Sequence, residues 1–167
     1  AMADSPRLDR PRLRQAGAWA CAFAGLFAAQ AWADDGERGA RTPLLPKYRE
    51  ECAACHIAYP PGMLPAASWQ RLMANLPRHY GTDASLDPGA VSALAGWLAA
   101  NAATSGRRSE PPPEDSITRS AWFVRKHREV APATWTLPGV KSAANCVACH
   151  TGADQGDFNE HNVRIPR

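Results

Sequence analysis

Cys52-Ala53-Ala54-Cys55-His56 and Cys146-Val147-Ala148-Cys149-His150 are two copies of one pattern, and their reading decides the fold. Each is C-x-x-C-H, the attachment signature of a c-type haem. The spacing has a physical reason. One helical turn sets two sulfurs where they bond the two vinyl-derived carbons of a porphyrin, and the next residue brings an imidazole beneath the iron. Other chemistries also use C-x-x-C pairs. A structural zinc needs its thiolates to converge, whereas here a His follows each pair and a Pro-rich segment lies between them. A redox disulfide belongs in a thioredoxin-like βαβ setting, and alternating β-branched runs do not occur.

The 167 residues suffice for one domain or two very small ones, which excludes a large multidomain enzyme. A formal charge of +3 is too small for the dense basic surface that phosphate neutralisation requires, so nucleic acid is not an expected partner. Fifteen Pro, with only four Phe and three Tyr, point to an irregular chain whose apolar mass comes partly from a cofactor. The N-terminus reads as a secretory signal peptide over residues 1–33. Arg7, Arg10, Arg12 and Arg14 precede an uncharged run from Ala16 to Ala29, and Ala31-Trp32-Ala33 gives a small-x-small cleavage pattern. The run is short for a bilayer span, so no membrane span is expected after the signal is removed. Cys21 would leave with the leader, and the exported remainder would meet an oxidising compartment.

The rest divides into a first haem-binding part, residues 34–101, a Pro-, Ser- and charge-rich linker, 102–116, and a second haem-binding part, 117–167. Trp69, Leu72, Met73 and Leu76 recur at helical spacing after Ser68, a good N-cap, and Pro77 disturbs that helix before His79. A second helix opens at Asp87 with Pro88 in its first turn and carries Val91, Leu94 and Leu98 on one face. The fold class expected is all-α and coil-rich.

His56 and His150 supply one ligand to each iron, and the sixth position decides the chemistry: an open site binds gas or peroxide, a closed one confines the iron to outer-sphere electron transfer. Of five His, three remain, His79, His127 and His161, with Met63 and Met73 as sulfur candidates. His79 ends the face made by Trp69, Leu72 and Leu76. Met73 shares that stripe, where a Met more often packs than ligates, and Met63 follows His56 too closely to reach the opposite haem face easily.

Further residues carry a resemblance. Glu51 to Pro61, then Leu64-Pro65-Ala66-Ala67-Ser68-Trp69, His79-Tyr80-Gly81, Asp83-Ala84-Ser85-Leu86 and the second C-x-x-C-H with Gly156-Asp157-Phe158 resemble the small dihaem cytochrome c family known as DHC. Tyr80 stands where Phe is usual, and Pro77 falls in the approach to His79. The resemblance implies two covalent haem c groups, two His ligands on each iron, and electron transfer rather than enzymatic turnover, in the bacterial periplasm. It also implies redox partners, a membrane cytochrome b and a small oxygen-binding cytochrome c. A haem enzyme or gas binder with one open iron is the alternative. With residues 117–131 on a helix, Phe123, His127 and Val130 share a side that Ile117, Val124 and Ala131 extend, which favours His127 as the second distal ligand; His161, in a polar segment, is its competitor. The expected attachment residues are thus Cys52, Cys55, Cys146 and Cys149, and the expected ligands His56, His79, His127 and His150. Arg119, Arg125, Lys126 and Arg128 form a basic cluster that would suit an acidic partner and would raise the potential of the second haem.

Overall fold

A computed structural model describes residues 42–167, so the expected signal peptide and Cys21 lie outside the described residues. Pro46 opens helix α1, Pro46–Cys52, where its missing donor costs nothing, and Lys47 reaches Glu51 one turn on at 2.6 Å. The helix buries Tyr48 and ends on Cys52, so its last residue is the first attachment cysteine. The Pro60–Pro65 stretch then turns through a short 3₁₀ segment, Pro61–Met63, and Trp69 Nε1 donates to Pro61 O at 2.7 Å.

Helix α2, Ala66–Met73, starts three residues earlier than its sequence implies. Pro65, in extended conformation, is the N-cap, and Ser68 is not a cap but a fully buried residue inside the helix. The helix stops at Met73; Leu76–Arg78 forms a 3₁₀ turn around Pro77 and delivers His79. Helix α3, Pro88–Ala100, begins as expected, with the Asp87 carboxylate accepting from Ala90 N at 2.9 Å. Leu94 and Leu98 are buried, and α3 packs on α2.

The stretch expected as a linker is bound down along its length. Ala103 N donates to Leu64 O at 2.9 Å, Arg108 lies over the Trp122 ring at 4.7 Å, and Asp115 takes both Nε and Nη2 of Arg71, at 2.9 and 2.6 Å. Glu114 and Asp115 reach this geometry with φ of 56° and 55°, a left-handed conformation held by those contacts.

The helix expected over 117–131 is shorter. Ile117–Arg119 is a 3₁₀ turn, Ser120 is extended and caps α4, Ala121–Lys126, through its hydroxyl, and His127 is the C-cap. The ring of His127 bonds back to Phe123 O, and Pro132 disfavours helical backbone in the residue before it. Trp122 and Phe123 face inward, whereas Val124, expected on the apolar side, is 58% exposed. No strand occurs among the described residues, only isolated bridges such as His150 with Val163. The fold is helical and coil-rich. Two apolar clusters result, one built on Tyr48, Leu64, Trp69, Leu94 and Leu98, the other on Met63, Trp122 and Phe123, with Tyr59 and Ile117 packed against both.

Removing the cap with Asp87→Ala is expected to cost about 1 kcal/mol, read as a lower denaturant midpoint with unchanged slope. Arg71 holds the Asp115 carboxyl below its ordinary value of 3.8, chiefly through the side-chain hydrogen bond. This stabilisation is complete above 3.8 and is lost as pH falls through the lowered folded-state value. Asp115→Asn is therefore expected to flatten the acid limb of stability against pH below 3.8 while lowering stability at neutral pH, measured by denaturant titration at each pH.

Candidate functional site

At the first C-x-x-C-H, α1 ends at Cys52, and a turn places Cys55 at the surface and His56 inward. His56 Nδ1 lies 2.6 Å from Ile57 O, so it donates there and Nε2 keeps its lone pair. Tyr59 stacks on the His56 ring at 4.9 Å and 29°. The Leu76–Arg78 turn brings the His79 ring to 6.1 Å from that of His56, and Tyr80, at φ 49°, stands edge-on to it. An open cavity of 570 Å³ beside His79 is lined by Leu72, Tyr80, Arg71, Arg78 and Asp115 among others.

The second motif folds differently. Cys146–Ala148 is a 3₁₀ turn, and His150 N donates to Cys146 O at 2.8 Å. The ring of His127 lies flat on Phe123 at 3.9 Å, anchored by donation from Nδ1 to Phe123 O at 2.9 Å, and its centre is 6.1 Å from that of His150. Phe158 and Trp135 enclose the pair. Gly152 is required by close approach, since a Cβ there would meet Asp157 Cβ at 2.9 Å. His161 is exposed in the Glu160–Asn162 turn, its backbone N–H held by Asn159. Met73 packs in the first apolar cluster and Met63 in the second.

Two imidazoles sharing one metal at about 2 Å each would hold their ring centres about 6 Å apart. His56 with His79 and His127 with His150 both match that separation. Burial, and in second place the neighbouring histidine, lowers the pKa of His79 and of His150, a shift toward the neutral ring that a metal ligand needs. Burial likewise pushes the Cys52 and Cys146 thiols up to about 11. The protein leaves His79 Nδ1, His150 Nδ1 and Trp122 Nε1 buried without a partner. Such atoms occur where another group completes the site, and a haem brings carboxylates that an indole N–H and the Arg108 guanidinium stacked on it would suit. Among the described residues no cluster of three His, Cys, Asp or Glu forms a metal site by itself. The residues present fit a haem at each motif.

The basic cluster is not a bare positive patch. Arg119 pairs with Glu114, Lys126 with Glu160 at 2.6 Å and Arg128 with Glu129 at 3.4 Å, which offsets the field expected at the second motif. Two residues of the site carried no functional reading in the sequence. Trp122 is one; its only sequence signal is its place five residues before His127. Tyr59 is the other, three residues after His56.

The dihaem cytochrome c family matches residues 48–158. None of the curated proteins compared matches. Among solved structures, the diheme cytochrome c of Shewanella baltica OS155 is 38% identical, with a TM-score of 0.64 over 72% of this chain and 92% of that one. A diheme cytochrome c from Rhodobacter sphaeroides is 43% identical, with a TM-score of 0.64 over 71% of this chain and all of that one. A DHC purified from Rhodobacter sphaeroides is 48% identical, with a TM-score of 0.61 over 68% and 96%. With both attachment motifs inside the matched region, the chain belongs to the dihaem cytochrome c family and carries two haem c groups.

Proposed function

We propose that this cytochrome is a periplasmic relay that passes single electrons through two haems, each held by two histidines: His56 and His79 at the first, His127 and His150 at the second. The observation that carries the reading is the pairing of rings at 6.1 Å at both motifs. A haem would supply an iron that cycles between two oxidation states, and holding it between two histidines would leave no open site for gas binding or peroxide chemistry. The chain's own contribution is to hold four imidazoles in two facing pairs. His56 and His127 are oriented by donation to backbone carbonyls, and His127 and His150 are walled by Phe123, Trp135 and Phe158. Cys52, Cys55, Cys146 and Cys149 attach the two groups.

Export rests on the leader pattern of residues 1–33, and no helix among the described residues is long and apolar enough to cross a membrane. The partners we propose are redox proteins, a membrane cytochrome b and a small oxygen-binding cytochrome c. Because most of the basic cluster is already paired, recognition would rest on small patches near the haem edges rather than on long-range steering.

The optical spectrum of the holoprotein tests the reading. Both haems are expected to be low-spin and unchanged by carbon monoxide. His79→Ala and His127→Ala should each turn one haem high-spin and open to carbon monoxide, whereas His161→Ala leaves both low-spin. If His161→Ala gives the high-spin haem and His127→Ala does not, the ligand set is wrong. A wild-type haem that binds carbon monoxide would instead favour an open-site enzyme or gas binder. Two His ligands lack the thioether that raises potential, so a redox titration is expected to place both haems below a His/Met cytochrome c.

A further inference from the structure

We propose that Tyr59 is the positioning residue that ties the first haem site to the second and sets how fast an electron passes between them. The inference rests on the reading of His56 as an iron ligand. The Tyr59 ring stacks on His56 at 4.9 Å, with 29° between the planes. Its hydroxyl donates to Ala144 O at 2.8 Å, across 85 residues of sequence, and Ala144 stands two residues before Cys146. Its backbone carbonyl accepts from Tyr48 Oη at 2.9 Å, and Tyr48 is a buried residue of α1, the helix that ends on Cys52.

Tyr59 is therefore fixed at three points. Tyr48 holds its main chain to the helix bearing the first attachment cysteine, stacking holds its ring to the first proximal histidine, and its hydroxyl holds the segment leading into the second attachment cysteine. The same ring packs against both apolar clusters. Electron tunnelling between two centres weakens steeply with each added gap, so a side chain that bridges both attachment segments governs the coupling through their spacing. The step itself balances without protons: one iron is oxidised from the ferrous to the ferric state as the other is reduced. Tyr59 stays a neutral phenol and is not oxidised.

The two sites are separable by electron paramagnetic resonance, because the histidine planes cross at 33° in the first and 66° in the second and this angle sets the anisotropy of low-spin ferric iron. Tyr59→Phe keeps the stack and removes the hydroxyl bond. In the holoprotein it is expected to leave both low-spin signals in place while slowing intramolecular electron exchange several-fold, measured by two-dimensional exchange NMR of the half-reduced state. Tyr59→Leu, which also removes the stack, should in addition shift the signal of the first site alone. Tyr48→Phe loosens the other anchor and should slow exchange in the same direction; it decides the matter if Tyr59→Phe does not load both haems. Exchange at the wild-type rate in Tyr59→Phe and Tyr48→Phe, with both haems low-spin, overturns the proposal even if Tm falls. A high-spin haem in the unaltered protein would overturn the bis-histidine reading instead.

Discussion

Two imidazole rings facing one iron must have their centres about 6 Å apart, and this chain makes that spacing twice with unlike pieces of backbone. In the first site the distal ring comes after a proline-bearing 3₁₀ turn, Leu76–Arg78. In the second it comes from the C-cap of α4, where the helix has just ended. Both are places where a helical run stops, and the stop has a purpose. Within a longer helix a histidine's backbone follows the helix axis, whereas a terminal residue can set its ring against a wall, as His127 does against Phe123. The shortness of α2 and α4 thus places His79 and His127 just beyond a helix end.

Short helices need support from elsewhere. A helix of six residues is far below the length that is stable alone, and the second apolar cluster offers only Met63, Trp122 and Phe123 as buried residues. A haem attached at Cys146 and Cys149 would supply the missing apolar mass, and with His127 and His150 both holding it, as proposed, it would link segments distant in sequence. Such links act like disulfides in reducing the freedom of the unfolded chain. This explains how a chain with 15 Pro and scattered 3₁₀ turns holds a single arrangement around Phe123 and Trp135. Exposed ion pairs such as Arg128 with Glu129 add little by comparison.

What could be read from the sequence was what is local. The C-x-x-C-H pentapeptides, the Asp87-Pro88 helix start and the stop near Pro77 each lie within a few residues. The errors were also informative. Ser68 resembles a cap, but Pro65 begins the helix and places Ser68 in the interior, a choice set by Trp69 reaching back to Pro61. Apolar spacing over 117–131 resembles one helix, but capping by Ser120 and the bond from His127 to Phe123 cut it to Ala121–Lys126. The hold of Asp115 on Arg71, the seat of Arg108 on Trp122 and the reach of Tyr59 to Ala144 join residues far apart in sequence. No periodicity reports a contact of that kind.

Those long-range contacts also show why the Pro-rich stretch between the motifs is not a spacer. Residues 102–116 touch the first half through Leu64 and Arg71 and the second through Trp122, and Tyr59 crosses the same divide directly. A relay gains from such stitching, because electron transfer between two fixed centres depends on their separation at every moment, whereas two domains on a loose tether would spend most of their time too far apart. The left-handed backbone at Glu114 and Asp115 fits this view. Residues in that region cost of order 1 kcal/mol or more. The cost is met where the Asp115 carboxylate, its side chain only 14% exposed, grips Nε and Nη2 of Arg71 and the Glu114 carbonyl receives the hydroxyl of Tyr80, the residue next to His79. Strain in the connecting segment is thereby spent on holding Tyr80 in place beside His79.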